Sequence, residues 1–351
     1  MSVVGQAASR QQRTGEWLRA RMQTRGFLWS VLGVLLLGVL VLAAFQGVSA
    51  QRLISLTAWG LMLGGIIGLG SIGLTLVYGV VKFPNFSHGA LVTLGAYLTL
   101  AVMAVLPQGP RLLPFSFGWE LIAGLLIAMP VVGLVSVAVD KVVYRRLRTQ
   151  GAHLVLFAMA SLAMEFFLRS WIYLIWGSDF HFYYSGRDNP ALDLILGIRV
   201  RADQLFIVAL AIVLVAAVYL LLERTKIGKA MRATADNPEL AQVRGINTER
   251  VIAWTWMVGG ALAAAGGVMY GLSSQLRPEM GFWLLLPMFA AVIMGGIGNP
   301  WGALAAAMII GIVHQVSGAF INPTYGPGVA FILMVITLLI RPQGLFGKGG
   351  G

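Results

Sequence analysis

The sequence predicts an all-α polytopic membrane protein with about ten transmembrane helices. Some of these are broken or re-entrant, and both termini fall on the cytoplasmic side. Three observations carry the prediction. The chain is 58% hydrophobic and only 11% charged, with a mean hydropathy of +0.83, and a soluble domain with so little charge cannot cover its surface with polar groups. Its apolar runs recur at about 20 residues without strict alternation, which marks helices and not barrel strands. Of the 25 Lys and Arg, 18 fall in proposed inner segments, six in outer ones and one, Arg169, within a span. That is the asymmetry of the positive-inside rule. The net charge of +12 is confined to particular loops, which argues against a nucleic-acid surface, and the absence of cysteine excludes disulfides and thiolate metal sites.

Residues 1–26 form a basic cytoplasmic tail, with Arg10, Arg13, Arg19, Arg21 and Arg25 against one acid, Glu16. It is a solvated tail or a patch for anionic lipid. The membrane domain follows over 27–347. Its first span is 27–45. Val48-Ser49-Ala50 looks like a signal-peptidase site, but the preceding run exceeds a signal core of about 7–15 residues, so it reads as a retained helix. Residues 53–81 are apolar over more than the roughly 20 residues a crossing needs, so this segment must tilt, bend or break. Gly60, Gly64 and Gly68 share one of its faces and form a ridge for close helix approach. Gly68 to Gly73 matches G-x-G-x-x-G, yet no strand surrounds it and the nucleotide reading fails.

A polar, proline-containing break at 82–89 precedes an outward span, 86–106. Residues 119–139 return to an inner loop, 140–153, that carries Lys141, Arg145, Arg146 and Arg148. Spans 154–176 and 204–222 flank a long outer loop, 177–203, rich in aromatic residues. Its Trp176 to Pro190 stretch either seats a partner protein or simply lies at headgroup level. Then come 251–273, a short segment 282–297, a break at Gly298-Asn299-Pro300, and spans 301–319 and 325–340 before a tail, 348–351. FPNFSHGAL (83–91) and GIGNPWGAL (296–304) echo one another, as paired transporter halves do.

No catalytic constellation appears: there is no Walker A sequence, H-E-x-x-H or G-x-S-x-G. The chain therefore reads as a non-enzyme that holds no metal or cofactor, and any ATP would be bound by a partner. The breaks at Pro84-Asn85 and Asn299-Pro300 are candidates for a translocation pathway, because an interrupted helix exposes backbone groups to a solute. A plain inner turn is the alternative. His88, beside Gly89, either binds solute or is a satisfied interfacial histidine, and His314 and Gln315 suit helix–helix hydrogen bonding. Glu165 and Arg169, four apart within one span, are expected to pair or to line a cavity.

Residues 223–250 form the longest polar interval, with six basic and four acidic residues. Inside it lies a short helix with its own signals. Asp236 or Asn237 caps it, Glu239 completing a capping box if Asp236 is the cap. Pro238 fits the first turn, and Gly245 closes the helix in a left-handed conformation. Leu240 and Val243 share an apolar face suited to a groove on a soluble partner.

Glu239-Leu240-Ala241-Gln242-Val243-Arg244-Gly245 resembles the E-A-A-x-x-x-G coupling motif of bacterial ABC-importer permeases, with Leu240 in place of the second small residue. The longer string RTKIGKAMRATADNPELAQVRGIN is similar to the cytoplasmic loop of branched-chain amino-acid permeases of the LivH type. GLTLVYGVVKFPNFSHGALVTLGAYL, AAVIMGGIGNPWGALAAAMIIGIV and RPQGLFG agree with it, so the resemblance covers roughly 53–347. The family often has an acid after the His-Gly pair, where this chain has Ala90. The resemblance implies a bacterial inner-membrane permease with ATPase coupling through Asp236, Pro238, Glu239, Leu240, Ala241, Val243 and Gly245. It implies a LivM-like permease, two ABC ATPases that bind ATP and Mg, and a periplasmic binding protein as partners. Branched-chain or other apolar amino acids are the implied substrates. Urea, short amides or aromatic acids are the alternatives within the family, and an ATP-independent porter or channel is the competing class.

Overall fold

The computed structural model describes residues 47–107, 109–184, 191–194 and 198–347. The expected basic tail, the first span at 27–45 and the tail at 348–351 lie outside the described residues. Within them the chain is helical throughout its membrane region, and eight helices are long and apolar enough to cross a bilayer.

The first, α1 (Ala50–Val81), starts where Ser49 accepts the Arg52 amide at 3.3 Å. Its 32 residues make about 48 Å of helix, against an apolar core of about 30 Å. The helix runs unbroken, so the long apolar run needs no bend. It is apolar on every face because it is the centre of the bundle, with 94% of its most apolar stretch buried.

Around it stand α2 (His88–Val105), α3 (Trp119–Val139) and α4 (Leu154–Trp176), then α5 (Ala202–Arg224), α6 (Lys226–Asp236) and α7 (Pro238–Val243). α8 (Thr248–Ser273), α9 (Met280–Gly295), α10 (Pro300–Ser317) and α11 (Gly326–Ile340) complete it. α9 is the short segment, with Pro287 inside it.

The ridge on α1 receives α10. A Cβ placed on Gly60 would lie 2.5 Å from the Ile312 Cα, and one on Gly64 2.9 Å from the Met308 Cα. Lipid is as apolar as leucine, so backbone-to-backbone packing of this kind holds membrane helices together. The opposite face of α1 meets α8, where Gly73 abuts Gly259. α8 in turn meets α2 at Gly95/Ala264 and Gly267/Val92, and α3 at Gly133/Met257. By contrast α4, α5 and α11 bury only 22%, 22% and 17% of their most apolar stretches and form the lipid-facing rim.

Two regions differ from the sequence expectation. The inner loop at 140–153 is largely helix: α3 passes through a π-helical turn, Asp140–Tyr144, and on through Arg145–Thr149. Charge in this stretch reads as loop, but the charges are satisfied. Buried Asp140 accepts both terminal nitrogens of Arg148, at 2.6 and 3.1 Å, and Arg145 pairs with Glu249 of α8 at 3.0 Å. The outer loop holds a hairpin, β1 (Ala191–Leu194) against β2 (Ile198–Arg201), with Ala191 opposite Arg201. Nearby, Tyr183 donates to the Ala96 carbonyl at 2.9 Å and Tyr184 to Glu120 at 3.1 Å, which ties the loop to α2 and α3.

Candidate functional site

The polar interval forms two helices, not one. Thr225 caps α6 by accepting the Gly228 amide at 3.0 Å. Asn237 caps α7, accepting the Leu240 amide at 2.9 Å. Asp236 is thus the last residue of α6, and the capping box with Glu239 does not form. Pro238 occupies the first turn of α7. Gly245 has φ +81°, with its amide on Gln242 O at 2.9 Å and the Ile246 amide on Ala241 O at 3.0 Å, which closes the helix as a left-handed cap. Gln242 donates to Thr248 at 2.9 Å and fastens α7 to the start of α8. Ala241 is buried there, while Leu240 is 55% and Val243 84% exposed. The small residue is needed inside, and the apolar pair is left facing outward. Sequence reasoning missed α6, whose available signals are Thr225 and the spacing of its buried Gly228, Met231 and Thr234.

The first break rises back into the bundle. Lys82 ends α1 with φ +63°, and its Nζ reaches the Ala235 carbonyl of α6 at 2.7 Å. Six residues later, His88 Nε2 donates to the Gly70 carbonyl at 2.9 Å. Gly70 stands about 16 Å along α1 from its inner end. α2 therefore starts beside the middle of the inner half of α1, well short of that helix's inner end. Its start is already occupied. Glu165 of α4 accepts the Ala90 amide at 2.5 Å, so a carboxylate stands at this helix N-terminus although residue 90 is alanine. The expected Glu165–Arg169 pair is not formed. The Arg169 guanidinium lies over the rings of Phe166 and Phe282, 4.8 and 5.3 Å from their centroids. The backbone amide wins Glu165 because it is fixed and otherwise unsatisfied, while Arg169 at the rim finds aromatic faces.

Ser161, one turn before Glu165, accepts the Phe86 amide at 3.2 Å and lies 3.3 Å from the Pro84 carbonyl. Asn85 accepts from the Ser87 amide at 3.2 Å and the Ser87 hydroxyl at 2.7 Å. Phe83 packs against Tyr144 and Phe157, both at 5.0 Å, and Tyr144 stacks on Trp256 at 5.2 Å. Gly89 touches the Gly281 backbone of α9. Pro84, Asn85, His88, Gly89 and Glu165 thus form one packed cluster, with Arg169 outside it. Sequence reasoning passed over Lys82, Ser161, Tyr144 and Trp256. Only Ser161 carried a signal, standing four residues from Glu165 on the same face.

The second break borders a cavity of about 770 Å3 at the inner end of α1, among α5, α6, α8 and the chain end. Thr75, Lys82, Asp236, Asn299, Pro300 and Gln343 are among its walls. Here Asn299 caps α10, accepting the Gly302 amide at 3.1 Å, and donates to the Phe346 carbonyl at 2.9 Å. Thr75 of α1 accepts the Gly298 amide at 3.0 Å. The two breaks therefore differ: Asn299 starts a helix, whereas Asn85 folds the turn ahead of one. His314 packs its ring against Gly326 at the start of α11.

The family described as the branched-chain amino acid transport system/permease component matches residues 56–338. The permease LivH of Escherichia coli (strain K12), from a high-affinity branched-chain amino acid transport system, is 30% identical over 302 residues, 82% of this chain and 94% of that protein. The corresponding BraD of Pseudomonas aeruginosa is 27% identical over 307 residues, with the same coverage of 82% and 94%. A probable LivH of Methanocaldococcus jannaschii is 29% identical over 294 residues, 79% of this chain and 87% of its own. No solved structure matches the chain. A family match across nearly all the described spans, on a bundle of eight membrane-length helices, makes this a multi-pass inner-membrane protein, and the chain belongs to the branched-chain amino acid permease family, LivH type.

Proposed function

We propose that this chain is a membrane-spanning subunit of an ATP-driven importer that carries branched-chain or other apolar amino acids inward. The observation that carries the reading is α7, a helix capped at both ends that holds Leu240 and Val243 open beside a buried Ala241. An apolar pair on a rigid, polar inner loop is unfavourable unless a partner covers it. The partner is an ABC ATPase, two copies of which bind and hydrolyse ATP with Mg. This chain supplies no nucleotide site. A second, LivM-like permease completes the membrane pair, and a periplasmic binding protein delivers solute to the outer loops.

ATP binding in the partners moves α6 and α7 as a lever and shifts the bundle between outward- and inward-open states. The cavity at the second break is the inner vestibule. At about 770 Å3 it falls within the range of small-molecule sites and holds an amino acid with water to spare. The cluster at the first break, with the start of α2, forms the wall the solute passes.

The test is a mild-detergent pull-down of the tagged chain from its native membrane, with mass spectrometry of what accompanies it. An ATPase pair and a second permease are expected. Recovery of the chain alone from a preparation that still transports would replace this reading with a self-contained porter or channel.

A further inference from the structure

We propose that Lys82 is the positioning residue that passes the stroke of α6 and α7 to the start of α2. The inference rests on the importer reading and names the link inside this chain.

Three observations converge on Lys82. It is the last residue before the first break, and its φ of +63° makes it the one non-glycine residue in the left-handed region among those described. A lysine held there, where glycine is at ease, signals that its side chain is wanted. Next, that side chain crosses 153 positions of sequence to donate from Nζ to the Ala235 carbonyl at 2.7 Å. Ala235 lies in the last turn of α6, where carbonyls are unpaired and the helix carries partial negative charge, so a cation is the fitting partner. Finally, its backbone joins the end of α1 to the break that leads into α2. Its amide bonds to Tyr78 O at 2.8 Å at the end of α1. Beyond it the chain climbs through Phe83 and Asn85 to His88 and the start of α2. Movement of α6 therefore pulls directly on the break.

Lys82 is exposed and its bond is a single hydrogen bond from its ammonium to a backbone carbonyl. An exposed cation at a helix C-terminus adds little to stability. A merely structural lysine would therefore be dispensable, whereas a coupling lysine is not.

The experiment measures uptake per ATP hydrolysed in the reconstituted full transporter. Lys82→Met and Lys82→Gly both insert and assemble normally, and both lose uptake per ATP by on the order of tenfold. The glycine variant matters because it relieves the backbone while removing the cation. Lys82→Arg keeps most of the coupling. The chain has no cysteine, which allows chemical rescue. Lys82→Cys is uncoupled, and treatment with aminoethyl methanethiosulfonate, which rebuilds a cation of near-lysine length, restores uptake, while the neutral methyl reagent does not. Wild-type coupling in Lys82→Met and Lys82→Gly, or equal rescue by both reagents, overturns the proposal. Uptake by the unsubstituted transporter that continues without ATP overturns the importer reading and this inference with it, before any variant is compared.

Discussion

At the scale of single residues, Glu165 shows how a buried charge is settled in a membrane. The sequence places it four residues from Arg169 and invites a pair. The structure gives it to the Ala90 amide, at 2.5 Å, where it completes the first turn of α2. Glu165→Ala leaves that amide unpaired and is expected to cost about 1–3 kcal/mol in unfolding of the detergent-solubilised protein. Glu165→Gln, which keeps an acceptor, costs less. Arg169→Ala loses only cation–π contact at the rim, about 0.5–1 kcal/mol. Equal losses from Glu165→Ala and Arg169→Ala would instead point to a mutual pair. Gly245 is the second decisive residue. Its φ of +81° disfavours a Cβ, so Gly245→Ala costs about 1–2 kcal/mol locally and frays the end of α7. Loss of amide-exchange protection at Ile246, with the spans unchanged, is the expected readout.

At the scale of elements, two helix surfaces have opposite duties. The Gly60–Gly64–Gly68 ridge of α1 exists to be filled by α10. With the Met308 Cα 2.9 Å from where a Cβ would stand, Gly64→Val overpacks the seam and is expected to destabilise the bundle by about 1–3 kcal/mol. The exposed face of α7 is the reverse case. Leu240 and Val243 are mostly exposed, so thermal stability and membrane insertion remain in Leu240→Asp and Val243→Asp. Co-purification of the ATPase is lost by at least tenfold, the scale of one good apolar anchor. A pull-down with ATPase yield unchanged in both variants would assign the face to something else. The continuation of α3 to Thr149 belongs here too: its Asp140–Arg148 pair holds the extension to α3, and Arg145–Glu249 fixes it to the start of α8.

At the scale of the whole molecule, the packing is layered. α1 is the axis, α8 and α10 lie against it through small residues, and α4, α5 and α11 face lipid. The inner end gathers the basic helix α6, the short helix α7, the cavity beside Asn299 and Lys82, and the outer end carries the aromatic loop. Because the chain has no cysteine, this arrangement is testable by single-cysteine labelling. Gln150→Cys and Lys229→Cys are expected to resist a membrane-impermeant thiol reagent in intact spheroplasts and to react after permeabilisation. Leu112→Cys and Ser178→Cys should react in both. Labelling of Lys229→Cys from outside would invert the molecule and remove the coupling surface from the ATP side.

The sequence by itself determined the all-helical membrane class, the order of the described spans, the glycine ridge, the cap at Gly245 and the apolar pair on α7. These features follow from local rules: hydropathy over about 20 residues, a repeat of four along a helix, and the conformations that proline and glycine permit. Tertiary structure alone decided the partner of Glu165, the contact of His88 with Gly70, the reach of Lys82 to α6 and the cavity beside Asn299. Each of these pairs groups 18 to more than 200 positions apart, as His88 with Gly70 and Thr75 with Gly298. No local periodicity encodes such distances. In a medium without water, polar groups must find partners within the protein, and which partner wins depends on how the bundle closes.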